Sequence, residues 1–355
     1  MRTAAHQHQI GIALIIVMIS ITVLSILAAG FAYSMKVETK LAMNANSETE
    51  LTWLGLSGVE LARYVLAQSL KCPYDSLNQK WAGGPGSDCE TNGSLGSITL
   101  ENHELGNGKF SLEITDLERK VNINGADEAT LEQGLRLVGV DAGDFSAIGG
   151  SILDWIDADN NIHIGGTESD YYQSLDPPYY AKNKPIDDLS ELLLVRGVTP
   201  DIYWGGISTN HPPAAFQNRL GVVRPGSAIA FPVGLADLFT PISSGRLNIN
   251  TVSFMTLQMI PSVDENIASE IIRLRSGPDG VDGTEDDTPF HNAGELVNAG
   301  LSRQVVQQIS RFCDVRSRTF EVEVNAEIGT YKRQFFAILG RNSNRDVQVL
   351  SFYWR

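Results

Sequence analysis

The sequence is poor in basic residues, and its histidines and glycines form no catalytic pattern. Its 27 Lys and Arg stand against 42 Asp and Glu, which gives a formal net charge of −15. A surface this acidic repels phosphate backbones, which argues against a nucleic-acid partner and favours a divalent cation. The six histidines are scattered, and outside the first eight residues no two stand at metal-ligand spacing. No glycine-rich phosphate loop precedes a helix either, so we expect a protein that is not an enzyme.

Cysteine is scarce, with three residues in the whole chain. Cys72 and Cys89 lie 17 positions apart in a stretch rich in Gly, Ser and Asn. This spacing fits a disulfide that closes the loop, and the alternative is two free thiols. An extracytoplasmic location would favour the disulfide. Cys313 is left over, and we expect a buried core residue without a catalytic base.

Charge is absent from the N-terminal region, since no Asp, Glu, Lys or Arg occurs between Arg2 and Lys36. Residues 12–34 form a mainly apolar run. As a helix, this run spans roughly 35 Å, enough to cross a hydrocarbon core of about 30 Å. A chain crosses a bilayer only as a helix or as a closed barrel. The sequence therefore predicts one membrane-spanning helix at its start.

Two interpretations of this apolar run compete. An ordinary secretory signal would be removed after Ala28-Ala29-Gly30. A prepilin leader instead ends at a glycine before the apolar run, which is retained, and Gly11 followed by Ile12 resembles that pattern. Residues 36–70 contain no proline and place apolar side chains at helical spacing, so the helix continues past the span. A secretory signal has no reason to continue in this way, and we therefore favour a leader of residues 1–11, cleaved between Gly11 and Ile12.

The rest of the chain combines strand patterns with a large insertion. Polar and apolar residues alternate in residues 109–114 and 319–328, which is the period of a half-buried strand. Residues 331–339 and 346–354 are strand-like as well. The pattern predicts an α+β fold, in which a long N-terminal helix packs on a small antiparallel sheet. The predicted units are the membrane helix (12–34), its continuation (35–70), the sheet (71–120 and 315–355) and a mostly helical insertion (121–314).

The insertion contains an internal repeat. The sequence Asn122-Ile123-Asn124 is followed by a helical pattern, and so is Asn248-Ile249-Asn250. The two copies cover about residues 121–205 and 247–312, and they suggest helix-hairpin-helix or SAM-like units. In each copy we expect the second asparagine to cap the helix that follows.

Two acidic loops without Lys or Arg stand out, residues 154–170 and residues 277–290. Calcium takes six to eight oxygen ligands in flexible geometry, which carboxylates between glycines supply. The alternative is a solvated acidic surface. Neither loop has the full EF-hand pattern, although the twelfth position counted from Asp157 is a glutamate, Glu168. We predict one or two calcium ions, with ligands among Asp157, Asp159, Glu168, Asp170, Asp279, Asp282, Glu285, Asp286 and Asp287.

Several short motifs, in this order and at this spacing, resemble the K class of minor pseudopilins of type II secretion systems (general secretion pathway protein K). The likeness extends over nearly the whole chain. It is carried by residues 116–124, 153–159, Glu168 with Tyr171 and Tyr172, and residues 182–186, 189–192 and 247–251.

The resemblance implies a structural role in secretion. The bulk would lie in the periplasm, and a single span would hold the chain in the inner membrane after prepilin peptidase removes the leader. Its partners would be other minor pseudopilins, met through the N-terminal helix, and secreted cargo. The family binds calcium in the helical insertion. It also commonly lacks the glutamate that most pilins carry at the fifth mature position, here Ile16, which implies a place at the pseudopilus tip, where filament assembly starts.

Two other functions remain open at this point. Residues 247–301 resemble helix-hairpin-helix DNA-binding modules of the competence-protein type. Those modules present a glycine hairpin to a phosphate, whereas Pro261 to Glu265 here lacks the glycines and carries two carboxylates. The second alternative is a periplasmic binding protein tethered by an uncleaved anchor.

Overall fold

The computed structural model describes residues 6–90, 95–205, 233–298 and 300–354, and the side chains of the N-terminal helix from residue 13 onward. One helix, α1 (His6–Ser69), contains the whole apolar run and continues for 35 residues beyond Ser34. Residues 13–46 of α1 are exposed, and burial begins near Leu51. The first half of α1 is thus an unpartnered rod, while the second half belongs to a folded domain.

The domain that holds the second half of α1 is built on a five-stranded antiparallel sheet. Its strand order is β1-β2-β7-β8-β9, so the last three strands of the chain form a meander beside an N-terminal hairpin. Alternate side chains of β2, β7 and β8 face α1 and form an apolar core with it, as the period-two pattern predicts. The strands are β1 (His103–Leu105), β2 (Gly108–Asp116), β7 (Thr319–Ile328), β8 (Tyr331–Ser343) and β9 (Asp346–Trp354).

The insertion leaves the sheet after β2 and returns to it before β7. Its described helices are α2 (Glu128–Val138), α3 (Phe145–Ile156), α4 (Ser169–Gln173), α5 (Pro200–Trp204), α6 (Leu235–Leu238), α7 (Phe254–Leu257), α8 (Glu265–Arg275) and α9 (Arg303–Phe312). Short 3₁₀ helices occur at Lys80–Ala82, Leu117–Arg119, Ile123–Gly125, Ala142–Asp144, Leu189–Leu194 and Ala293–Val297.

The insertion has two apolar cores, one for each half. Each half is closed by a two-residue parallel ladder, in which the strand at the Asn-Ile-Asn sequence pairs with a strand at the end of that half. The ladders join β3 (Val121–Asn122) to β4 (Phe239–Thr240) and β5 (Leu247–Asn248) to β6 (Cys313–Asp314).

The second asparagine of each repeat does not cap the following helix, so that prediction was wrong. Asp127 caps α2 and Ser253 caps α7. Asn124 instead exchanges two hydrogen bonds with the backbone of Ile186, at 2.7 and 2.9 Å. Asn250 does the same with Phe290, at 2.9 Å in both directions. The amide has a donor and an acceptor and can satisfy both backbone groups of a distant buried residue, which a cap cannot do.

A buried polar cluster joins the insertion to the sheet. Asp75 forms an ion pair with Arg341 of β8, and both are buried. Asp116, at the end of β2, accepts hydrogen bonds from Thr251 of the second repeat and from Ser317, which precedes β7. Because these residues come from four distant parts of the chain, the cluster holds the insertion in a fixed orientation on the sheet.

Candidate functional site

The exposed half of α1 is the first candidate site. Within Ala13–Ser69, an 18-residue window reaches a mean hydropathy of 2.7 and none of it is buried. Apolar side chains that cover a helix on every side are typical of a lipid-facing segment. Predicted residue Ile16 lies in this region with 57% of its surface exposed. By length and composition, α1 is therefore compatible with a single membrane anchor.

Of the predicted leader (residues 1–11), the structure describes only the backbone of residues 6–11. Residues 1–5 are not among the described residues. Gly11 and Ile12 fall within the helical stretch of α1, but their side chains lie outside the described part.

The second candidate site lies where the first acidic loop folds back on α3. Asp154 occupies the inward face of α3 and is fully buried. Two glycines allow the loop to lie against the helix, because a Cβ on Gly150 would stand 2.7 Å from the Ile164 carbonyl oxygen and one on Gly166 would stand 2.1 Å from Asp154 Oδ2. The close approach places the loop backbone directly over the buried carboxylate.

The loop brings an imidazole onto this carboxylate. The His163 backbone N–H donates to Asp154 Oδ1 at 2.9 Å, and its ring Nδ1 lies 2.6 Å from the same oxygen. Asp157 Oδ2 is 3.5 Å from the ring Nδ1. One ligand atom from each of these three residues lies within 4.8 Å of the other two. Together they form a side-chain cluster compact enough to surround a single ion.

Glu168 and Asn183 lie beside this cluster, since the charges of Asp154 and Asp157 act on Glu168, and Asn183 contacts Glu168. We call the five residues the carboxylate pocket (Asp154, Asp157, His163, Glu168 and Asn183). Glu168 is only 7% exposed. Both of its carboxylate oxygens, together with Asp154 Oδ2 and Asn183 Oδ1, are buried and lack a partner at hydrogen-bonding geometry among the described residues, although the Ser169 backbone and Asn183 lie close enough to lower the pKa of Glu168. Buried oxygens left in this state cost free energy, which a bound cation would reduce.

The protonation equilibria of the pocket reflect its crowded negative charge. Burial, and then the charges of Asp154 and Asp157, raise the pKa of Glu168. Burial also raises the pKa of Asp157. The hydrogen bond to Asp154 raises the pKa of His163. A bound dication would reverse the carboxylate shifts, because it favours the ionised form of each ligand.

The predicted residues of the first loop divide into two groups. Asp157 and Glu168 lie in the carboxylate pocket. Asp159 is exposed and accepts from the Asn161 backbone N–H at 2.7 Å, and Asp170 is exposed on α4. The prediction left out Asp154, His163 and Asn183. Asn183 comes from a separate segment, and it is held there by donating to the Asp159 carbonyl oxygen at 2.8 Å.

The second acidic loop is organised differently, around an internal cation. Arg275, the last residue of α8, is buried and binds both oxygens of Asp282, at 3.0 and 2.6 Å. Asp286 accepts from the Asp279 backbone N–H and from Thr284, and Asp287 accepts from the Gly283 N–H. Asp279 and Glu285 are exposed. The five predicted ligands of this loop thus do not converge on one point as the first loop does.

The hairpin before α8 does not offer a phosphate site. Ser262 has a positive φ of 73°, at the position where the DNA-binding modules have glycine. The Asp264 carboxylate accepts from the Ile267 backbone N–H at 2.8 Å and so occupies the N-terminus of α8. An anion would meet a carboxylate here instead of free N–H groups.

The three cysteines fall into two environments. Cys72 and Cys89 form a disulfide in the structure, with their Cα atoms 5.5 Å apart. It joins the end of α1 to the loop that precedes the sheet. Cys313 is a free thiol in the core of the second repeat, and burial raises its pKa to about 12.

Comparisons with known proteins agree on one family. The family model described as type II secretion system (T2SS), protein K, matches residues 111–204, which include the carboxylate pocket. The chain is 23% identical to type II secretion system protein K of Pseudomonas aeruginosa over 351 residues, or 97% of this chain and 92% of that protein. It is 27% identical to the protein of the same name from Aeromonas hydrophila over 213 residues, or 56% of this chain and 61% of that relative.

A solved structure shares the fold. It is a chain of the GspK-GspI-GspJ complex from the type 2 secretion system of enterotoxigenic Escherichia coli, with a TM-score of 0.62 and 18% sequence identity. The match covers 88% of this chain and 99% of that one. The match shows that the two chains share a fold. By its match to the family model over residues 111–204, its nearly full-length similarity at 23% identity and its fold, this chain is similar to the type II secretion system protein K family.

Proposed function

We propose that this protein is a minor pseudopilin of a type II secretion system and acts as a structural subunit, not as an enzyme. The observation that carries the proposal is the division of α1 into an exposed apolar half and a half packed on the sheet. An apolar rod joined rigidly to a folded domain can anchor in a membrane and also pack beside similar rods. A tethered binding protein would need only the anchor.

The partners would be other minor pseudopilins of the same apparatus. The solved relative was crystallised as a complex with GspI and GspJ, and we infer that this chain assembles with their counterparts. The exposed residues 13–46 of α1 provide the packing surface, because lateral contacts between helices would bury side chains that the isolated subunit exposes.

The leader of residues 1–11 would be removed by prepilin peptidase between Gly11 and Ile12. The mature chain would then cross the inner membrane once and place the sheet and insertion in the periplasm, where the disulfide of Cys72 and Cys89 can persist. At the tip of the pseudopilus it would start filament assembly, and the growing filament would push folded cargo through the outer membrane.

Calcium is the proposed ion of the insertion. In the carboxylate pocket, Asp154, Asp157, Glu168 and Asn183 would hold it through oxygen atoms, four of which are buried without a partner among the described residues. This donor set fits a hard cation. The ion would tie the loop to α3 and so stiffen the first repeat. The second loop, where Arg275 already neutralises Asp282, would be the weaker of the two sites.

The mature N-terminus tests the proposal. We expect protein purified from membranes to begin at Ile12 and to co-purify with other pseudopilins. A chain beginning at Phe31, after Ala28-Ala29-Gly30, would rule out the pseudopilin function. An uncleaved chain without pseudopilin partners would favour a tethered binding protein.

A further inference from the structure

We propose that the carboxylate pocket also takes a first-row transition-metal dication such as Zn²⁺, with His163 as a direct ligand, and takes it more tightly than Ca²⁺. The inference rests on the proposed calcium site and concerns which ions that site accepts. It starts from the imidazole, since calcium has no need of a nitrogen ligand.

The imidazole is built into the pocket. The His163 backbone N–H and ring Nδ1 both contact Asp154 Oδ1, at 2.9 and 2.6 Å, so one carboxylate oxygen fixes the main chain and the side chain together. The same Nδ1 lies 3.5 Å from Asp157. The side chain is 43% exposed, yet its ring nitrogen points inward. A metal ion can take the position between Nδ1 and the two carboxylates.

The geometry of the ligand atoms suits one small ion. Atoms from Asp154, Asp157 and His163 all lie within 4.8 Å of one another. Zinc binds nitrogen and oxygen ligands at about 2.0–2.2 Å, so ligand atoms around one ion stand at most about 4.4 Å apart. His163 Nδ1 and Asp154 Oδ1 are 2.6 Å apart and would separate to about 3.4 Å, the spacing of two ligands on one tetrahedral zinc. Glu168, with two buried oxygens that lack a described partner, would be the fourth ligand.

The charge of the pocket favours a cation. The charges of Asp154 and Asp157 raise the pKa of Glu168, and Lys182, next to Asn183 in the sequence, is already bound to Asp187 and Glu191, at 2.6 and 2.7 Å. A dication that bonds to nitrogen as well as oxygen gains a coordination bond to His163, which calcium does not form. At sites with nitrogen and oxygen ligands, Zn²⁺ binds with higher affinity than Mn²⁺. Calcium binds through oxygen ligands alone.

The test compares two ions on the full-length chain, purified in detergent and stripped of metal with a chelator. Zn²⁺ affinity is measured by competition with a chromophoric chelator and Ca²⁺ affinity by calorimetry. We expect wild type to bind one Zn²⁺ at least about 10-fold more tightly than Ca²⁺. The variant His163→Ala should lose about 10- to 100-fold in Zn²⁺ affinity, while its Ca²⁺ affinity stays within about threefold because calcium takes only oxygen ligands.

A matched control and a second variant make the result unambiguous. His291→Ala removes another exposed imidazole, one that lies 3.7 Å from the Glu295 carboxylate, and should change neither affinity. Glu168→Gln should weaken both ions. Co²⁺ in place of Zn²⁺ should give a visible absorption spectrum that changes in His163→Ala and not in His291→Ala.

Three results would overturn the inference. Unchanged Zn²⁺ binding in His163→Ala would show that the imidazole is not a ligand, and would leave the calcium proposal standing. Equal losses for both ions would show that His163 only positions the loop. If wild type binds neither ion, the calcium proposal fails together with this one.

Discussion

Two glycines determine how closely α1 approaches the sheet. A Cβ added at Gly55 would lie 2.5 Å from the Phe335 ring, and one added at Gly58 would lie 2.5 Å from a Val324 methyl group. From the sequence alone, both glycines only weaken a helix, by up to about 1 kcal/mol each. In the structure they allow buried side chains of β7 and β8 to touch the helix backbone, and that contact explains why the helix tolerates them.

We predict that Gly58→Ala destabilises the folded domain. Overpacking of a close contact costs about 1–3 kcal/mol, which exceeds the roughly 1 kcal/mol that alanine gains in helix propensity. Chemical denaturation of the purified protein would measure the loss. The matched control is Gly30→Ala on the same helix, where nothing lies within 4 Å of the added Cβ. Equal stability of the two variants would contradict the packing argument.

Asp116 is a carboxylate in an environment that disfavours its charge. Burial, and then the neighbouring Glu118, raise the pKa of Asp116 to about 7. Its hydrogen bonds from Ser317 and Thr251 lower the pKa again but do not cancel the increase. Because the folded pKa exceeds the unfolded value of about 3.9, the contribution of Asp116 to stability is full at low pH and is lost as pH rises through about 7.

We therefore predict that wild type loses stability relative to Asp116→Asn between about pH 4 and pH 7, by at most about 1.4 kcal/mol per pH unit, and that the difference levels off above pH 7. Melting temperatures of both proteins across this range would show the difference. Asp127→Asn is the control. The hydrogen bonds from Thr130 lower the pKa of Asp127, so the contribution of Asp127 to stability is lost only below about pH 4. The melting temperature of Asp127→Asn should therefore change in parallel with that of wild type above pH 5. A difference in melting temperature between wild type and Asp116→Asn that does not change with pH would contradict the raised pKa of Asp116.

At the scale of elements, periodicity predicted the long helix and the main strands, but not the shortest pieces. Two of the four longer strands, β2 and β7, have alternating patterns, and all four strands occur where they were expected. The three-residue edge strand β1 and the two-residue ladders of the insertion were missed. A strand of two residues has no period, and only tertiary pairing defines it.

Sequence spacing also predicted only part of the carboxylate pocket. The spacing of acidic residues identified Asp157 and Glu168. Asp154 was counted in the first acidic loop but not among the predicted ligands, and Asn183 lies 26 positions beyond Asp157 in the sequence, outside that loop. His163 has no second histidine near it, so spacing rules give no signal for it. Asp154 lies on α3 itself, His163 reaches it through the fold of the loop, and Asn183 comes from a separate segment.

Removal of calcium should loosen the first loop more than the second. An ion at 100 times its dissociation constant adds about 2.7 kcal/mol of stability, so a calcium chelator should lower the melting temperature of wild type. Glu168→Gln should abolish most of this effect. Asp170→Asn, an exposed carboxylate nearby on α4, should leave it intact. If Asp159→Ala, Glu168→Ala, Asp282→Ala and Asp286→Ala combined do not change the chelator effect, neither loop is the calcium site.

At the scale of the whole molecule, α1 is the only described element that extends away from the folded domain. Its contacts with the sheet begin at Asn44, which accepts from the Tyr331 hydroxyl at 2.6 Å, and at Glu48, which pairs with Arg333 at 2.7 Å. The residues before them have no tertiary partner among the described side chains. In the proposed filament, the position of the subunit would therefore depend on the surface of this exposed half, and Ile16 is one of its residues.

In pilins, the glutamate at the fifth mature position is thought to pair with the N-terminal ammonium of a neighbouring subunit. A charged side chain without such a partner costs at least about 2.5–3.5 kcal/mol at the centre of a span. Only a subunit with no neighbour above it would have no use for the carboxylate. If the leader is cleaved after Gly11 as proposed, Ile16 would remove the cost and leave the ammonium of Ile12 free to meet a glutamate from the subunit below. We predict that crosslinking from the exposed half of α1 places this chain above the other minor pseudopilins, with contacts on one side only.

Ile16→Glu should weaken co-purification with the other minor pseudopilins, whereas the apolar control Ile16→Leu should not. Crosslinks to subunits both above and below would show that the chain occupies an internal position and that Ile16 carries no information about the tip.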